Sequence, residues 1–289
     1  GNINKNYLII IGKNKFIIKR LKNENSIELT NQLKLSNYLL KKKFNTISFL
    51  KTLDDRDFFH SHGSYWVLFK YIEGKYFSGS FEEFKEATKG FCKFTKILSN
   101  YTFNLKEKPV QYKFLLKGNL KKINLKNKKK LLCLHYKIIM ESLDILKKNK
   151  ISLKQKKIIH TDYHPQNLLF RNGKLEGVLD FQDVKDYSVI AAQGFAFFKL
   201  IRHSLSKNKK TMNLTIKKYK RYWINYWNKT FPLLKVNTEL LRIGATVQII
   251  HLINDILKRC SNNDFSQLHG LENQIQYLYE IETIFYEIT

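Results

Sequence analysis

The sequence predicts an α+β fold with a small β-rich amino-terminal part and a larger, mainly helical carboxy-terminal part. Three observations predict it. Runs rich in isoleucine and aromatic residues alternate with turn residues in the first 72 positions, as in short antiparallel strands. Apolar residues recur at helical spacing in several stretches after position 81. In between, Asn172-Gly173 joins two short apolar runs, and this dipeptide favours a two-residue hairpin turn.

The amino-terminal elements follow in order. Tyr7 to Ile11 and Phe16 to Leu21 read as two strands of a hairpin, joined by a turn over Gly12 to Asn14. Ser26 begins a helix with a stripe of leucines and isoleucines. Trp66 to Ile72 is a continuous apolar strand, and we place a boundary directly after it.

The remaining apolar stripes predict helices that bury one face in a core. Their boundaries are predicted at Phe81 to Ser99, Asn127 to Lys148, Ala191 to Leu205, Asn213 to Thr230, Glu239 to Cys260 and Phe265 to Ile288.

The candidate catalytic groups lie in the middle of the chain. Asp162 and Asn167 are five positions apart, and Asp180 follows a hydrophobic run. This is the pattern of base, metal-binding amide and metal-binding carboxylate that phosphoryl transfer uses, because that reaction depends on positioning and on neutralising phosphate charge. A tight hairpin at Asn172-Gly173 would bring Asn167 and Asp180 to adjacent strand ends.

Two histidines flank these groups, and each has a structural alternative to a chemical role. His160 is expected to pack and to hydrogen-bond the loop. His164, which precedes a proline, is expected to orient the same loop. Any one polar residue here would ordinarily be read as a turn former. Three of them in register around one hairpin favour a functional site.

The segment His160-Thr-Asp162-Tyr-His-Pro-Gln-Asn167, together with Gly177-Val-Leu-Asp180-Phe, resembles the superfamily of aminoglycoside phosphotransferases, choline and ethanolamine kinases and homoserine-kinase-like enzymes. The resemblance implies a bilobal protein-kinase-like fold, with an amino-terminal lobe over residues 1–72 and a carboxy-terminal lobe over residues 73–289. It also implies Asp162 as the catalytic base, Asn167 and Asp180 as magnesium ligands, and ATP as the phosphoryl donor.

The same resemblance extends to the nucleotide site. Gly1 to Tyr7 is similar to the phosphate loop of the choline and homoserine kinase branches, which assigns Asn2 and Asn4 to the nucleotide. Lys19 takes the place of the strand lysine that reaches the α and β phosphates. Main-chain groups around Lys70 and Ile72 are implied to pair with adenine.

The lysine is normally held by a glutamate from the next helix. Glu28 is the early acid of that helix and is the predicted partner of Lys19; Gln32 is the rival. A third interpretation is that Glu28 only stabilises the amino terminus of the helix through the helix dipole.

The acceptor site is less well determined by the sequence. Relatives usually carry Asp-Leu-Ala shortly after the metal aspartate, whereas this chain has Ile190-Ala-Ala-Gln193-Gly194. Asp183 is a candidate for the acceptor or metal site.

Trp223 and Trp227 are candidates for an aromatic cage around a choline-like cation or for stacking on a sugar. The alternative is that they belong to the core. Arg202 and His203 are candidates to meet an anionic acceptor.

Composition limits the other function classes. The net charge of +28 would suit a nucleic-acid partner, but the lysines accompany asparagine and isoleucine throughout and no nucleic-acid-binding motif is present, so the charge is interpreted as a solvated surface. No transmembrane segment and no signal peptide are expected. Three cysteines, odd in number, favour a reducing cytoplasm.

The sequence therefore predicts a Mg²⁺-dependent, ATP-using phosphotransferase that acts on a hydroxyl of a small metabolite, amino alcohol, sugar or antibiotic. Two other classes remain: a catalytically silent, kinase-like nucleotide-binding protein, and a basic nucleic-acid-binding protein.

Overall fold

The computed structural model describes residues 5–21, 26–101, 135–149, 154–207, 212–261, 264 and 266–286. They fall into two compact units. The first comprises Gly1–Asn100 and His164–Val184, and the second comprises Tyr101–Tyr163 and Lys185–Thr289. The first unit therefore extends beyond Ile72 and also contains the Asn-Gly hairpin. The predicted lobe boundary at Ile72 stays a prediction.

In chain order, the described strands and helices are β1 (Lys5–Ile11), β2 (Asn14–Leu21), α1 (Ser26–Lys41), β3 (Phe49–Leu50), β4 (Phe59–Ser61), β5 (Ser64–Lys70), β6 (Lys75–Tyr76), α2 (Phe81–Leu98), α3 (Tyr136–Lys148), β7 (Lys156–His160), β8 (Leu168–Arg171), β9 (Lys174–Val178), β10 (Val184–Ser188), α4 (Val189–Lys207), α5 (Met212–Thr230), α6 (Thr238–Ser261) and α7 (Gly270–Tyr286).

The first unit is built on an antiparallel sheet with the order β1-β2-β5-β3, in which β4 also pairs with β5. The predicted hairpin is confirmed, because Ile11 pairs with Asn14 across a two-residue turn whose Gly12 has a φ of 58°. Only glycine adopts this conformation without steric cost. The strand predicted to reach Ile72 ends at Lys70.

Helix α1 begins at Ser26 as predicted and packs on this sheet. The buried core of the contact consists of Leu21, Leu29, Leu33 and Val67. Burying an aliphatic side chain of this size contributes about 1.5–3 kcal/mol. The helix is therefore held against the strand that carries Lys19.

Helix α2 supports the hairpin of β8 and β9. It begins after Ser80, whose side-chain oxygen accepts a hydrogen bond from the Glu83 amide, a helix cap that satisfies one end amide. On its buried face, the ring of Phe94 packs against Phe44 and Phe181, with ring centroids 5.5 and 5.8 Å apart. Strands β6, β8 and β9 form a second sheet in this unit.

The second unit contains the long helices α3 to α7 and the two-stranded sheet of β7 and β10. Helices α4 and α6 cross at two glycines. A Cβ atom on Gly244 would lie 1.9 Å from the carbonyl oxygen of Ile190, and one on Gly194 would lie 2.3 Å from that of Leu241. The backbones can approach this closely only because both side chains are absent.

Helix α6 is the one helix among the described residues that is long and apolar enough to cross a membrane, over Thr238–Cys260. Of this apolar stretch of the helix, 78% is buried inside the protein. It also carries Arg242, which pairs with Glu239 and Glu282. Both observations are typical of the core helix of a folded domain.

Several predicted boundaries are corrected or lie outside the described residues. The last helix begins at Gly270 rather than Phe265, after a turn at residues 266–269. The helix predicted from Asn127 is described from Tyr136 onward. Cys92 and Cys260 are free and buried, and Cys133 lies outside the described residues.

Candidate active site

The hairpin of β8 and β9 places Asn167 and Asp180 at neighbouring strand ends. Its turn residues, Asn172 and Gly173, both have positive φ angles, 51° and 75°, as a type I′ turn requires. Leu168 pairs with Val178, and the amide of Leu179 donates to the carbonyl oxygen of Asn167 over 2.8 Å. This confirms the predicted hairpin, in which a main-chain hydrogen bond ties Asn167 to Leu179, the residue before Asp180.

Asp180 has a left-handed backbone, with φ 60° and ψ 80°. This conformation is uncommon for a residue with a side chain, and strained residues of this kind cluster at functional sites. The next residue, Phe181, is buried against Phe94 and thereby fixes the turn that follows. The surrounding packing therefore imposes the strained geometry of Asp180.

Lys19 lies beside Asp180. The side chain of Lys19 comes from the middle of β2, where the residue pairs with Val67 of β5. Its Nζ atom lies 4.0 Å from Oδ1 of Asp180, an ion-pair distance that exceeds hydrogen-bonding distance. The two predicted nucleotide-site residues thus meet in one compact unit.

A small cavity of about 30 Å³ adjoins this pair. Its polar lining residues are Lys19, Asp180 and Gln32, and the rest of the lining is apolar. Glu28, the predicted partner of Lys19, is exposed at the start of α1 and does not line the cavity. Of the two candidates that the sequence left open, the structure brings Gln32 into this pocket.

Asn167 is oriented by its neighbour His164. The residues Pro165–Asn167 form a 3₁₀ turn, and Nδ1 of His164 accepts a hydrogen bond from the Gln166 amide over 3.2 Å. The other ring nitrogen of His164 lies 3.4 Å from Nδ2 of Asn167. His164 therefore contacts the side-chain nitrogen of Asn167. This geometry agrees with the orienting role predicted for His164.

Asp162 belongs to the second unit and is half-buried. Its backbone amide donates a hydrogen bond to Nδ1 of His160, over 3.2 Å. His160 is fully buried, and its ring packs edge-on against Tyr163 with centroids 5.9 Å apart. This agrees with the structural role predicted for His160, which holds the backbone of the loop at Asp162.

The strand end after β5 leaves main-chain groups available for a ligand. The amide of Lys70 donates to Ser48 and that of Tyr71 donates to Lys15. Within the described part of the chain, the next residue, Ile72, makes no main-chain hydrogen bond to other backbone groups. A Cβ atom on Gly177 would lie only 2.9 Å from the Ile72 side chain, so Gly177 leaves room for Ile72. The pairing of this segment with adenine stays a prediction, for which Ile72 is better placed than the Lys70 amide.

The residues present fit a magnesium ion. Oδ1 of Asp180 is buried and has no hydrogen-bond partner among the residues that the structure describes. A buried carboxylate oxygen without a partner is costly. Mg²⁺ prefers oxygen ligands, and one carboxylate plus phosphate oxygens is a common way to hold it. Asp180, with the amide oxygen of Asn167, supplies the donor set that the sequence predicts.

The two tryptophans proposed for a cation cage lie in the core of the second unit. Both side chains are fully buried. The Trp223 indole donates to Gln193 over 3.4 Å and packs on Phe197. The Trp227 indole donates to the Leu234 carbonyl oxygen over 2.7 Å. Their burial fits the core alternative, and it gives no support to a cage for a choline-like cation.

The other acceptor candidates lie in different environments. Asp183 is exposed in the 3₁₀ turn Phe181–Asp183. Arg202, a candidate for an anionic acceptor, forms an ion pair with Glu280 and lies 4.7 Å from the ring centre of Tyr277. Its charge is therefore already compensated within the protein. Asn2 and Asn4, assigned to the phosphate loop, lie outside the described residues.

Solved structures with the same fold come from small-molecule kinases. A microcompartment-associated aminopropanol kinase matches with a TM-score of 0.67 and 13% identity, covering 96% of this chain and 87% of that chain. An amicoumacin kinase solved with AMP-PNP, Ca²⁺ and amicoumacin matches with a TM-score of 0.64 and 11% identity, covering 98% and 86%. A spectinomycin phosphotransferase bound to AMP matches with a TM-score of 0.61 and 13% identity, covering 95% and 90%.

At these identities the structural matches establish the fold, which is the α+β kinase-like fold that the sequence predicted. No curated protein matches the sequence. The model of the phosphotransferase enzyme family matches residues 1–190, a span that contains Lys19, Asp162, Asn167 and Asp180. The chain therefore belongs to the phosphotransferase enzyme family.

Proposed function

We propose that the protein is a Mg²⁺-dependent kinase that transfers the γ-phosphoryl group of ATP to a hydroxyl group of a small molecule. The observation that carries this proposal is the meeting of Lys19 and Asp180 at 4.0 Å, in the unit whose hairpin also holds Asn167. A cation for the phosphates and two oxygen donors for a metal are the parts that phosphoryl transfer needs.

Each residue has a distinct role in the proposed reaction. Asp162 accepts the proton of the acceptor hydroxyl as its oxygen forms a bond to the γ-phosphorus, while the bond from that phosphorus to the β-γ bridging oxygen breaks and ADP leaves. Lys19 binds the α and β phosphates. Asn167 and Asp180 hold Mg²⁺, and the chemistry that the bound ion supplies is neutralisation of charge on the phosphate oxygens. The role of Asp162 rests on its spacing from Asn167 in the sequence.

Electrostatics favours a neutral or anionic acceptor over a polycation. The chain has 24 acidic residues against 52 basic ones, and residues 188–234 contain no acid. In the second unit, Glu280 is engaged by Arg202, while Glu239 and Glu282 are engaged by Arg242. A polycationic aminoglycoside would need several uncommitted carboxylates in complementary positions. We therefore place neutral, zwitterionic or anionic hydroxyl compounds ahead of aminoglycosides.

Two measurements test the proposal in sequence. Thermal unfolding with ATP, with and without Mg²⁺, is expected to show stabilisation that requires the metal. Coupled detection of ADP, across a panel of polyols, hydroxy amino acids, sugar phosphates, amino alcohols and aminoglycosides, is then expected to identify an acceptor. Metal-dependent ATP binding without turnover on any acceptor would favour a catalytically silent relative, and no ATP binding would refute the proposal.

We further propose a reducing, cytoplasmic location, which fits the two buried free thiols.

A further inference from the structure

The cavity beside Lys19 suggests how this chain positions its nucleotide-binding lysine. Only three of its ten lining side chains, those of Lys19, Gln32 and Asp180, are polar. In an apolar lining, polar groups that face the same small space interact strongly with each other. Besides Asp180, Gln32 is therefore the candidate polar partner of Lys19 in this cavity.

The distance between Lys19 and Asp180 is too long for Asp180 to hold the Lys19 ammonium by a hydrogen bond. At 4.0 Å, the ammonium and Oδ1 of Asp180 attract each other without a hydrogen bond. The side chain of Lys19 is only 21% exposed, so solvent covers little of it. A lysine ammonium has three N–H donors to satisfy. Asp180 is also the predicted metal ligand, and a residue that binds Mg²⁺ has less of its charge available to hold Lys19.

Among the described residues of α1, those that line the cavity include no acid. Glu28 lies one turn before Gln32 on α1, and it is exposed. Gln32 is half-buried between Leu29 and Leu33, which pack into the core and hold this part of the helix against β2. The side-chain amide of glutamine has an oxygen that accepts hydrogen bonds, and it carries no charge. Gln32 can therefore accept a hydrogen bond from the Lys19 ammonium.

We infer that Gln32 is the positioning residue of the nucleotide site, whose amide oxygen accepts a hydrogen bond from Lys19 and keeps the ammonium directed at the α and β phosphates when Asp180 engages the metal. This inference rests on the proposed function, because it assumes that the site binds ATP. It assigns to a neutral amide the task that the sequence predicted for Glu28.

The test compares nucleotides with and without phosphates on the full chain. Dissociation constants for Mg²⁺·AMP-PNP and for adenosine are measured by titration calorimetry on the wild type, Gln32→Met, Gln32→Glu and Glu28→Gln. Gln32→Met keeps the length of the side chain and removes the acceptor. It is expected to weaken AMP-PNP binding about tenfold, the scale of one hydrogen bond to a charged group. Adenosine, which has no phosphate for Lys19, is expected to bind within about twofold of wild type.

The other two variants separate positioning from a structural effect. Gln32→Glu keeps an acceptor oxygen and is expected to bind AMP-PNP within about threefold of wild type, less than the effect of losing one hydrogen bond to a charged group. Glu28→Gln, the matched change one turn away, is expected to bind both ligands as the wild type does. Unchanged AMP-PNP binding by Gln32→Met, equal loss for adenosine, or a loss in Glu28→Gln would overturn the inference. If Gln32→Met does not fold, a tenfold loss in Gln32→Glu overturns it. Absence of binding by the wild type would instead refute the proposed function.

Discussion

The ammonium of Lys19 lies 4.0 Å from the Oδ1 atom of Asp180. These residues are far apart in the sequence, and a different part of the structure fixes the position of each. Lys19 is fixed by the strand ladder between β2 and β5. Asp180 is fixed by a left-handed turn anchored on Phe181. The pair places a cation beside a buried carboxylate oxygen that has no hydrogen-bond partner within the described part of the chain. This arrangement fits the proposed site for a metal-nucleotide complex.

Asp162→Asn tests the proposed proton acceptor. An amide cannot take up the proton of the acceptor hydroxyl, so we expect turnover to fall by about 10²–10⁴-fold. AMP-PNP binding is expected to stay within about threefold of wild type, because the proposed mechanism assigns Asp162 to the acceptor and not to the nucleotide. Asp144→Asn, a surface change on α3 where Asp144 pairs with Lys147 at 3.0 Å, serves as the control. Wild-type turnover in Asp162→Asn would contradict the assignment.

Asp180→Asn tests the metal site. Asparagine tolerates a left-handed backbone, so the fold is expected to persist. The part of nucleotide binding that depends on Mg²⁺ is expected to disappear, because the negative ligand is lost while Lys19 remains. Calorimetry with and without Mg²⁺ measures this, with Asp55→Asn, an exposed aspartate that also has a positive φ of 61°, as the control. An unchanged Mg²⁺ dependence in Asp180→Asn would remove Asp180 from the metal site.

Gly244→Ala tests the crossing of α4 and α6. The added Cβ atom would lie 1.9 Å from the Ile190 carbonyl oxygen, so the two helices would have to separate. We expect a loss of at least about 3 kcal/mol in the free energy of unfolding, at the upper end for overpacking. Gly270→Ala is the matched control, since its nearest atom is Cδ1 of Ile256 at 3.8 Å. Similar melting temperatures for the two variants would show that the crossing adapts.

His251 gives the second unit a pH dependence. Burial first, and Lys185 second, lower the pKa of His251 from 6.5 to about 4. The unfolded chain therefore takes up a proton below pH 6.5, whereas the folded protein does so only near pH 4. The contribution to the free energy of unfolding is fully present above pH 6.5 and is lost as the pH falls toward 4, by about 2 kcal/mol at pH 5.

The variant His251→Gln isolates this contribution, because it removes the titrating group at a site where His251 contacts the Tyr187 hydroxyl. Urea denaturation at pH 7.5, 6 and 5 is expected to show a steeper loss of stability in the wild type than in the variant. Parallel profiles would mean that the protonation state of His251 does not differ between the folded and unfolded protein.

The charge of +28 is expected to have no specific nucleic-acid partner. Surface lysines already pair with acids one turn away, as Lys85 does with Glu82 and Lys89 with Glu86. We expect duplex DNA to bind weakly, without sequence preference, and to dissociate near physiological salt, while Mg²⁺-ATP binding persists because buried contacts are screened less. Fluorescence polarisation across a salt series measures both. Tight, sequence-selective binding, with a log-log slope of about −0.9 for each contacted phosphate, would refute this expectation.

The sequence determined the elements whose causes are local. The Asn172-Gly173 turn fixes its hairpin because both residues tolerate positive φ angles, and it pairs Arg171 with Lys174 and Phe170 with Leu175. Beyond this point a register shift between Leu169 and Phe170, which the turn does not determine, aligns Leu168 with Val178. Apolar spacing located α1 and α2 in the same way. These signals act over a few residues, so they could be predicted without the fold.

Tertiary packing decided the contacts between distant residues. Glu28 and Gln32 are one turn apart on α1, so the helical pattern could not tell which of them reaches Lys19; the seating of the helix on the sheet leaves Glu28 exposed and brings Gln32 to the cavity. Likewise, an aromatic stripe is compatible with a ligand cage or with a core, and only the neighbours of Trp223 and Trp227 show that the core encloses them. Periodicity defines which face of a helix is apolar, whereas the partner of that face depends on segments remote in the sequence.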